Sequence, residues 1–250
     1  MKQTKEKQTK EQPKEEKPMI KLFKRMAFDW FLLLGLYLPY MIFTIARFLP
    51  WDYLLPYDEA LQQYKDSVPV EDNWQPGRNS VVGRSISGLA WRLNIGWGTL
   101  AFYLIFTIGF MIYQAVLFTR LNGRNHKKMN IAIITVMIVG AVLLVVGSFI
   151  PISNDYTYIL DRLHSIFCPV GTVIMVAGVA IMLIQFCISS KGNWRTKSIA
   201  IGGFAVLTFL AGVGIWVLPF FSALFSLVCT FMAMIYVHYF TVTFELTKMN

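Results

Sequence analysis

The chain has 250 residues, of which 56% are hydrophobic and only 15% charged, and it carries a net charge of +9. Ordinary soluble domains hold about 25% charged residues, and the apolar runs that begin at Ala27 are long enough to cross a bilayer. A soluble enzyme or aqueous binding module is therefore excluded, and the class indicated is an all-α integral membrane protein.

Residues 1–25 are polar and repetitive, with QTKE at 3–6 and again at 8–11, followed by Pro13 and Pro18. Such a segment cannot bury enough apolar area to offset its ordering entropy. It is expected to be a disordered basic tail rather than a secretory signal, because the polar stretch is long and no cleavage site follows. Its last part, KLFKR at 21–25, abuts the first apolar run. Lys21, Lys24 and Arg25 are thus expected to meet anionic lipid headgroups.

Residues 26–250 read as a six-transmembrane-helix bundle. The first four helices are expected near 27–49, 93–119, 130–150 and 165–188, with Pro39 as a kink in the first. The apolar stretch at 198–244 would be roughly 70 Å long as one helix, more than twice a ~30 Å hydrocarbon core, so it must fold back. Pro219 in VLPFF is the natural break. The loop at 50–92 is too long for a simple connection. Within it, PYDEALQQYKDS suggests a short helix capped by Asp58, with Tyr57, Leu61 and Tyr64 on one face. Trp51, Tyr53, Trp74, Trp91 and Trp97 fit an interfacial aromatic belt. This loop is expected to cap the outer surface and is the part open to another membrane or extracellular protein.

An even number of spans puts both termini on one side. That side carries 17 Lys and Arg, against six on the other: Arg47, Lys65, Arg78, Arg84, Arg92 and Arg162. The positive-inside rule then makes both termini cytoplasmic. The basic character thus reports membrane orientation, and no nucleic-acid partner is expected.

The most concentrated polar group beside an apolar run is DYTYILDRLHS at 155–165. In a helix, Asp161 would share a face with His164 at i, i+3 and with Ser165 at i, i+4. Pro169 would clash with the Ser165 carbonyl, so a kink or a helix end is expected there. Asp155 suits a turn. Asp161 and His164 are open to two readings, a structural pair or a site. Arg47 and Arg92 either snorkel to the interface or meet Asp161, the second case building a seat for a phosphate headgroup. Gln114, Gln185, Thr107 and Thr208 are expected to bond between helices, and the pairs Ser198/Gly202 and Thr208/Gly212 to permit close packing.

Cofactors are not expected. His126 lies among cations, His238 lies deep in the last helix, and Asp155, Asp161 and His164 form only a weak ligand pattern, so no metal site is assigned. Cys168, Cys187 and Cys229 sit in apolar runs without metal spacing and are expected to pack as small hydrophobes. A hydrolase using His164, Asp161 and Ser87 or Ser165 remains open, although no nucleophile elbow accompanies it. A transporter is disfavoured: no internal repeat is visible, and only Asp29 and His238 lie toward the inner half, Asp29 close to the headgroups.

SISGLAW at 85–91 leads into the second helix, GSFIP at 147–151 closes the third, and His164 opens the fourth. This layout resembles the bacterial six-helix membrane family called domain of unknown function family 998, within the wider DRAM/FRAG/Sfk-like group. Ile86, Ser87, Leu89, Leu163 and His164 match its pattern. Gly88 stands where that family has an acid, Ala90 where it has glycine, and one extra residue separates Phe149 from Pro151. The resemblance implies a six-helix fold with Ser87 and His164 facing each other at the outer mouth. It also implies an association with lipid organisation, lipid-anchor remodelling or autophagy control.

These readings converge on a multi-pass protein of the cell membrane, of bacterial type. The expected role is non-enzymatic, binding or organising membrane lipids or a membrane partner at the outer face through Ser87, Arg92, Asp161 and His164. A membrane-embedded hydrolase or lipid-modifying enzyme, or a transporter or immunity-type protein, is the alternative.

Overall fold

The computed structural model describes residues 18–48, 97–150, 159–189, 194–216 and 222–249. Among these there is no strand. The order is α1 (Pro18–Trp30), a π-helical segment (Phe31–Tyr37), α2 (Leu38–Phe48), α3 (Trp97–Asn122), a 3-10 turn (Arg124–His126), α4 (Lys127–Phe149), α5 (Ile159–Ser189), α6 (Trp194–Trp216) and α7 (Ser222–Met249). Five described stretches are long and apolar enough to cross a membrane: Pro18–Ala46, Trp97–Asn122, Arg124–Phe149, Ile166–Ser189 and Ser226–Met249. The described residues are all-helical, with the architecture of a membrane protein. The loop at 50–92, with Ser87 and Arg92, lies outside the described residues, as does Pro219.

The expected tail boundary is corrected. Helix α1 starts at Pro18, so 18–25 are helical rather than part of a disordered tail. Proline suits a first helical position because that N–H has no intrahelical partner. Leu22 is buried at 2% exposure, and Arg25 reaches Glu245 at the far end of α7. These contacts anchor what composition alone leaves unanchored.

Pro39 does not break the first helix. In an α-helix it would crowd the carbonyl of Gly35. The chain winds as a π-helix just before it, and the Leu38 N–H donates to the Leu33 carbonyl, five residues back. The wider turn takes up the irregularity, and the helix continues to Phe48. Pro169 likewise lies within a continuous α5.

The apolar stretch at 198–244 forms two helices, as its length requires. They pack side by side, with the Tyr236 hydroxyl donating to the Ala200 carbonyl at 2.7 Å. Aromatic rings fill the core where α3, α5 and α7 meet. Phe118 stacks on Phe240 and Phe244 at 5.3 and 4.7 Å, and Phe186 meets Phe240 edge-on at 5.2 Å.

Helices α4 and α5 form the tightest seam. Gly140 and Gly147 on α4 face Gly171 and Gly178 on α5, each pair two turns apart. A Cβ on Gly171 would lie 2.6 Å from the Leu144 nitrogen, and one on Gly140 would lie 2.8 Å from the Met175 nitrogen. Backbones this close require glycine. The small pair expected to do this, Ser198/Gly202, does not: a Cβ on Gly202 would meet nothing within 4 Å. Thr208 bonds the Phe204 carbonyl of its own helix. Four-residue spacing marked the wrong face because small residues also occur on faces without a close neighbour.

Candidate functional site

The chain crosses back and forth so that the start of α1, the α3–α4 turn, the end of α5 and the end of α7 gather at one end of the bundle, here called the basal end. Contacts between Arg25 and Glu245, and between Asn122 and both Asn130 and Gln185, fix this arrangement. The opposite end carries His164.

At the basal end a carboxylate is sealed from solvent. Asp29, two residues before the π-segment, has 0% exposure. Three groups converge on its Oδ2. Gln114 Nε2 of α3 donates at 3.1 Å, His238 Nδ1 of α7 lies at 2.9 Å, and Arg25 Nε, one turn earlier on α1, lies at 4.0 Å. This Nδ1 contact is not a hydrogen bond. Arg25 Nη1 donates to Glu245, and Tyr113 of α3 faces the same carboxylate. The Trp30 ring packs edge-on against His238 at 5.5 Å. Among the described residues, Asp29 Oδ1, Gln114 Oε1 and Arg25 Nη2 have no hydrogen-bond partner.

Burying a carboxylate is costly unless opposite charge and donors surround it. Here the compensation comes from three separate helices, α1, α3 and α7. The chemistry available is proton exchange: a carboxylate and an imidazole in contact, with a fixed guanidinium beside them. Intramembrane ionisable groups of this kind mark functional elements more often than they mark packing.

A second, uncharged cluster sits beside it. Asn122 donates to Asn130 at 2.7 Å, and Gln185 donates to Asn122 at 3.0 Å. Asn130 Nδ2 reaches the Thr119 and Gly123 carbonyls at 3.2 and 3.0 Å. Gly123 has φ +81°, a left-handed conformation that glycine adopts freely. These bonds close the α3–α4 turn and tie it to α5.

The sequence-predicted site residues fare differently. His164 is buried on α5, and its Nδ1 lies 3.2 Å from the carbonyl of Ile150, at the end of α4. A carbonyl only accepts, so Nδ1 carries the proton. Its Nε2 faces the Cys168 thiol at 3.9 Å, and that thiol faces Ser148 at 3.7 Å. These contacts join α4 to α5. Asp161 and Ser165 lie in α5 by their backbone, while their side chains, with Ser87 and Arg92, are outside the described residues. Lys21 and Lys24 are exposed on α1. Arg25 is corrected: its guanidinium turns inward to Glu245 and Asp29 instead of outward to headgroups. The buried carboxylate draws it there.

Sequence reasoning gave Asp29 and His238 separately and placed Asp29 near the headgroups. What it missed was their pairing. The available signal was a carboxylate and a histidine inside the first and last apolar runs, each needing a partner that lipid does not supply. Gln114 and Gln185 do bond between helices as expected. The three cysteines are free.

Comparison with family models, with curated proteins and with solved structures gives no match.

Proposed function

We propose that this chain is a six-span protein of the cell membrane with both termini in the cytoplasm, working by binding and conformational response rather than by covalent chemistry. Helix α6 supplies the sixth span, since its 23 residues reach roughly 35 Å. The basal end is the cytoplasmic end on the distribution of Lys and Arg. Its role is to bind or organise membrane lipids or a membrane partner, in keeping with the resemblance to family 998 and a bacterial-type membrane. The outer candidates Ser87, Arg92 and Asp161 keep their place in that reading, with His164 as the clamp between α4 and α5.

One observation carries the proposal: the Asp29–His238 contact joining the first helix to the last. A proton gained or lost at this pair changes the charge balance among Arg25, Tyr113, Gln114 and Glu245, which face it from α1, α3 and α7. The bundle's working state is thereby tied to proton occupancy near the cytoplasmic face.

Trp30 reports on this directly, because a protonated imidazole against an indole quenches its fluorescence. In detergent, Trp30 fluorescence of the wild type should change with pH. His238→Gln and Trp30→Phe should each remove that component while the protein stays monodisperse. An unchanged pH response in His238→Gln would show that the pair does not exchange protons, and would end the reading.

A further inference from the structure

The α3–α4 turn carries an open groove of about 630 Å³, lined among others by Thr119, Arg120, Arg124, Lys127, Ile131 and Ile134. We propose that this groove seats the phosphate-bearing headgroup of an anionic phospholipid. The inference rests on the reading of the basal end as cytoplasmic, and it adds a site that the Asp29–His238 network does not contain.

Three features support it. Arg120, Arg124 and Lys127 bring three cations to one rim, and among the described residues no carboxylate is within ion-pair distance of any of them. Uncompensated guanidinium groups suit phosphate because their planar forks donate two bonds at once. The rim is also pre-organised. Asn130 holds the Thr119 and Gly123 carbonyls, so the cations project from a turn already fixed in shape. Finally, the groove changes character along its length. Lys127, Ile131 and Ile134 follow one another at i, i+4 and i+7 on α4, running from cationic to apolar over roughly 10 Å. Ile131 is 55% exposed and finds no protein cover. A free phosphate would use only the rim, whereas a lipid would use the rim and the apolar wall together.

Basic pockets between membrane helices on the cytoplasmic side are suited to anionic headgroups, and each cation near such a surface contributes about a factor of five in affinity. The test is native mass spectrometry of the full chain in mild detergent, titrated with phosphatidylglycerol or phosphatidylcholine. Wild type should retain phosphatidylglycerol in preference to phosphatidylcholine. The triple variant Arg120→Gln/Arg124→Gln/Lys127→Gln should bind it at least about tenfold more weakly, with an unchanged melting temperature. Arg195→Gln/Lys248→Gln, which removes two exposed cations at the same end of the bundle but outside the groove, should bind as wild type does. Inorganic phosphate in millimolar excess should leave the lipid in place.

Equal retention in the triple variant overturns the site, as does loss of lipid in the Arg195/Lys248 variant. Displacement by inorganic phosphate alone overturns the lipid as its ligand. Cysteine labelling at Asn125 separates this from failure of the parent reading. Reaction with an impermeant reagent added outside intact cells sinks the cytoplasmic orientation itself. Protection there, with no lipid retained, sinks only the groove.

Discussion

Two junctions of the bundle are held together by opposite means. Along the α4–α5 seam the helices approach until backbone meets backbone at Gly140 and Gly171, and the described polar contacts across it include His164 with Ile150 and Cys168 with Ser148. At the basal end, α1, α3 and α7 are joined by buried charge: Arg25, Asp29, His238 and Glu245. Close packing is indifferent to protons and works by shape. Buried charge is costly in a low-dielectric medium and becomes favourable only when every partner is present, which makes it responsive. A seam of the first kind suits a fixed hairpin, and a junction of the second kind suits an element that changes state.

Several substitutions put this contrast at risk. The largest effect is expected at Asp29. Asp29→Leu leaves His238 without its carboxylate and Arg25 with Glu245 alone, and breaking a buried pair in this way costs about 3–5 kcal/mol. Thermal unfolding in detergent should show it, and the double variant Asp29→Leu/His238→Leu should recover part of the loss. A double variant as unstable as the sum of its parts would mean that the two residues are not coupled.

Gly171→Ala comes next. Its Cβ would lie 2.6 Å from a backbone nitrogen that cannot turn aside, and overpacking of this kind costs roughly 1–3 kcal/mol. Its melting temperature should fall by the same amount in the wild type and in the Asp29→Leu background, because the two sites share no partner. If Gly171→Ala altered the pH response of Trp30, the two junctions would be acting as one unit and the comparison would fail.

Gly123→Ala places a side chain at φ +81°, ψ 177°, a region essentially reserved for glycine, for a cost of about 1–3 kcal/mol. His164→Ala removes the hydrogen bond to Ile150 and the contact with Cys168, and bonds between membrane helices average about 0.6 kcal/mol each. A collapse of stability in His164→Ala comparable with that of Asp29→Leu would show that the His164 end also depends on a polar centre.

The sequence made the large features legible because they follow from length and solvent. An apolar run at 198–244 cannot cross a bilayer once, so its division into α6 and α7 was readable. Gln114 and Gln185 were readable as interhelical donors because an amide in an apolar run needs a partner. The start of α1 was not readable. Whether 18–25 is helical depends on Glu245 and on the pocket that buries Leu22, both supplied by a distant helix. The glycine seam was missed for a similar reason: spacing marks a possible face, but only the neighbour decides whether the face is used. His164 drew notice through the charged residues around it in sequence, yet its described contacts are a carbonyl of α4 and a thiol one turn away.

The amino-acid sequence by itself determined that this is a helical membrane protein and where its long apolar segments lie. Those properties come from hydrophobic length and charge count, which are local and additive. Only the tertiary structure decided that Asp29 meets His238, that Arg25 turns inward, and that Arg120, Arg124 and Lys127 share one rim. Those are contacts between helices far apart in the chain or across a turn. In a medium where every helix is equally apolar, the pattern along one helix does not say which neighbour it will find.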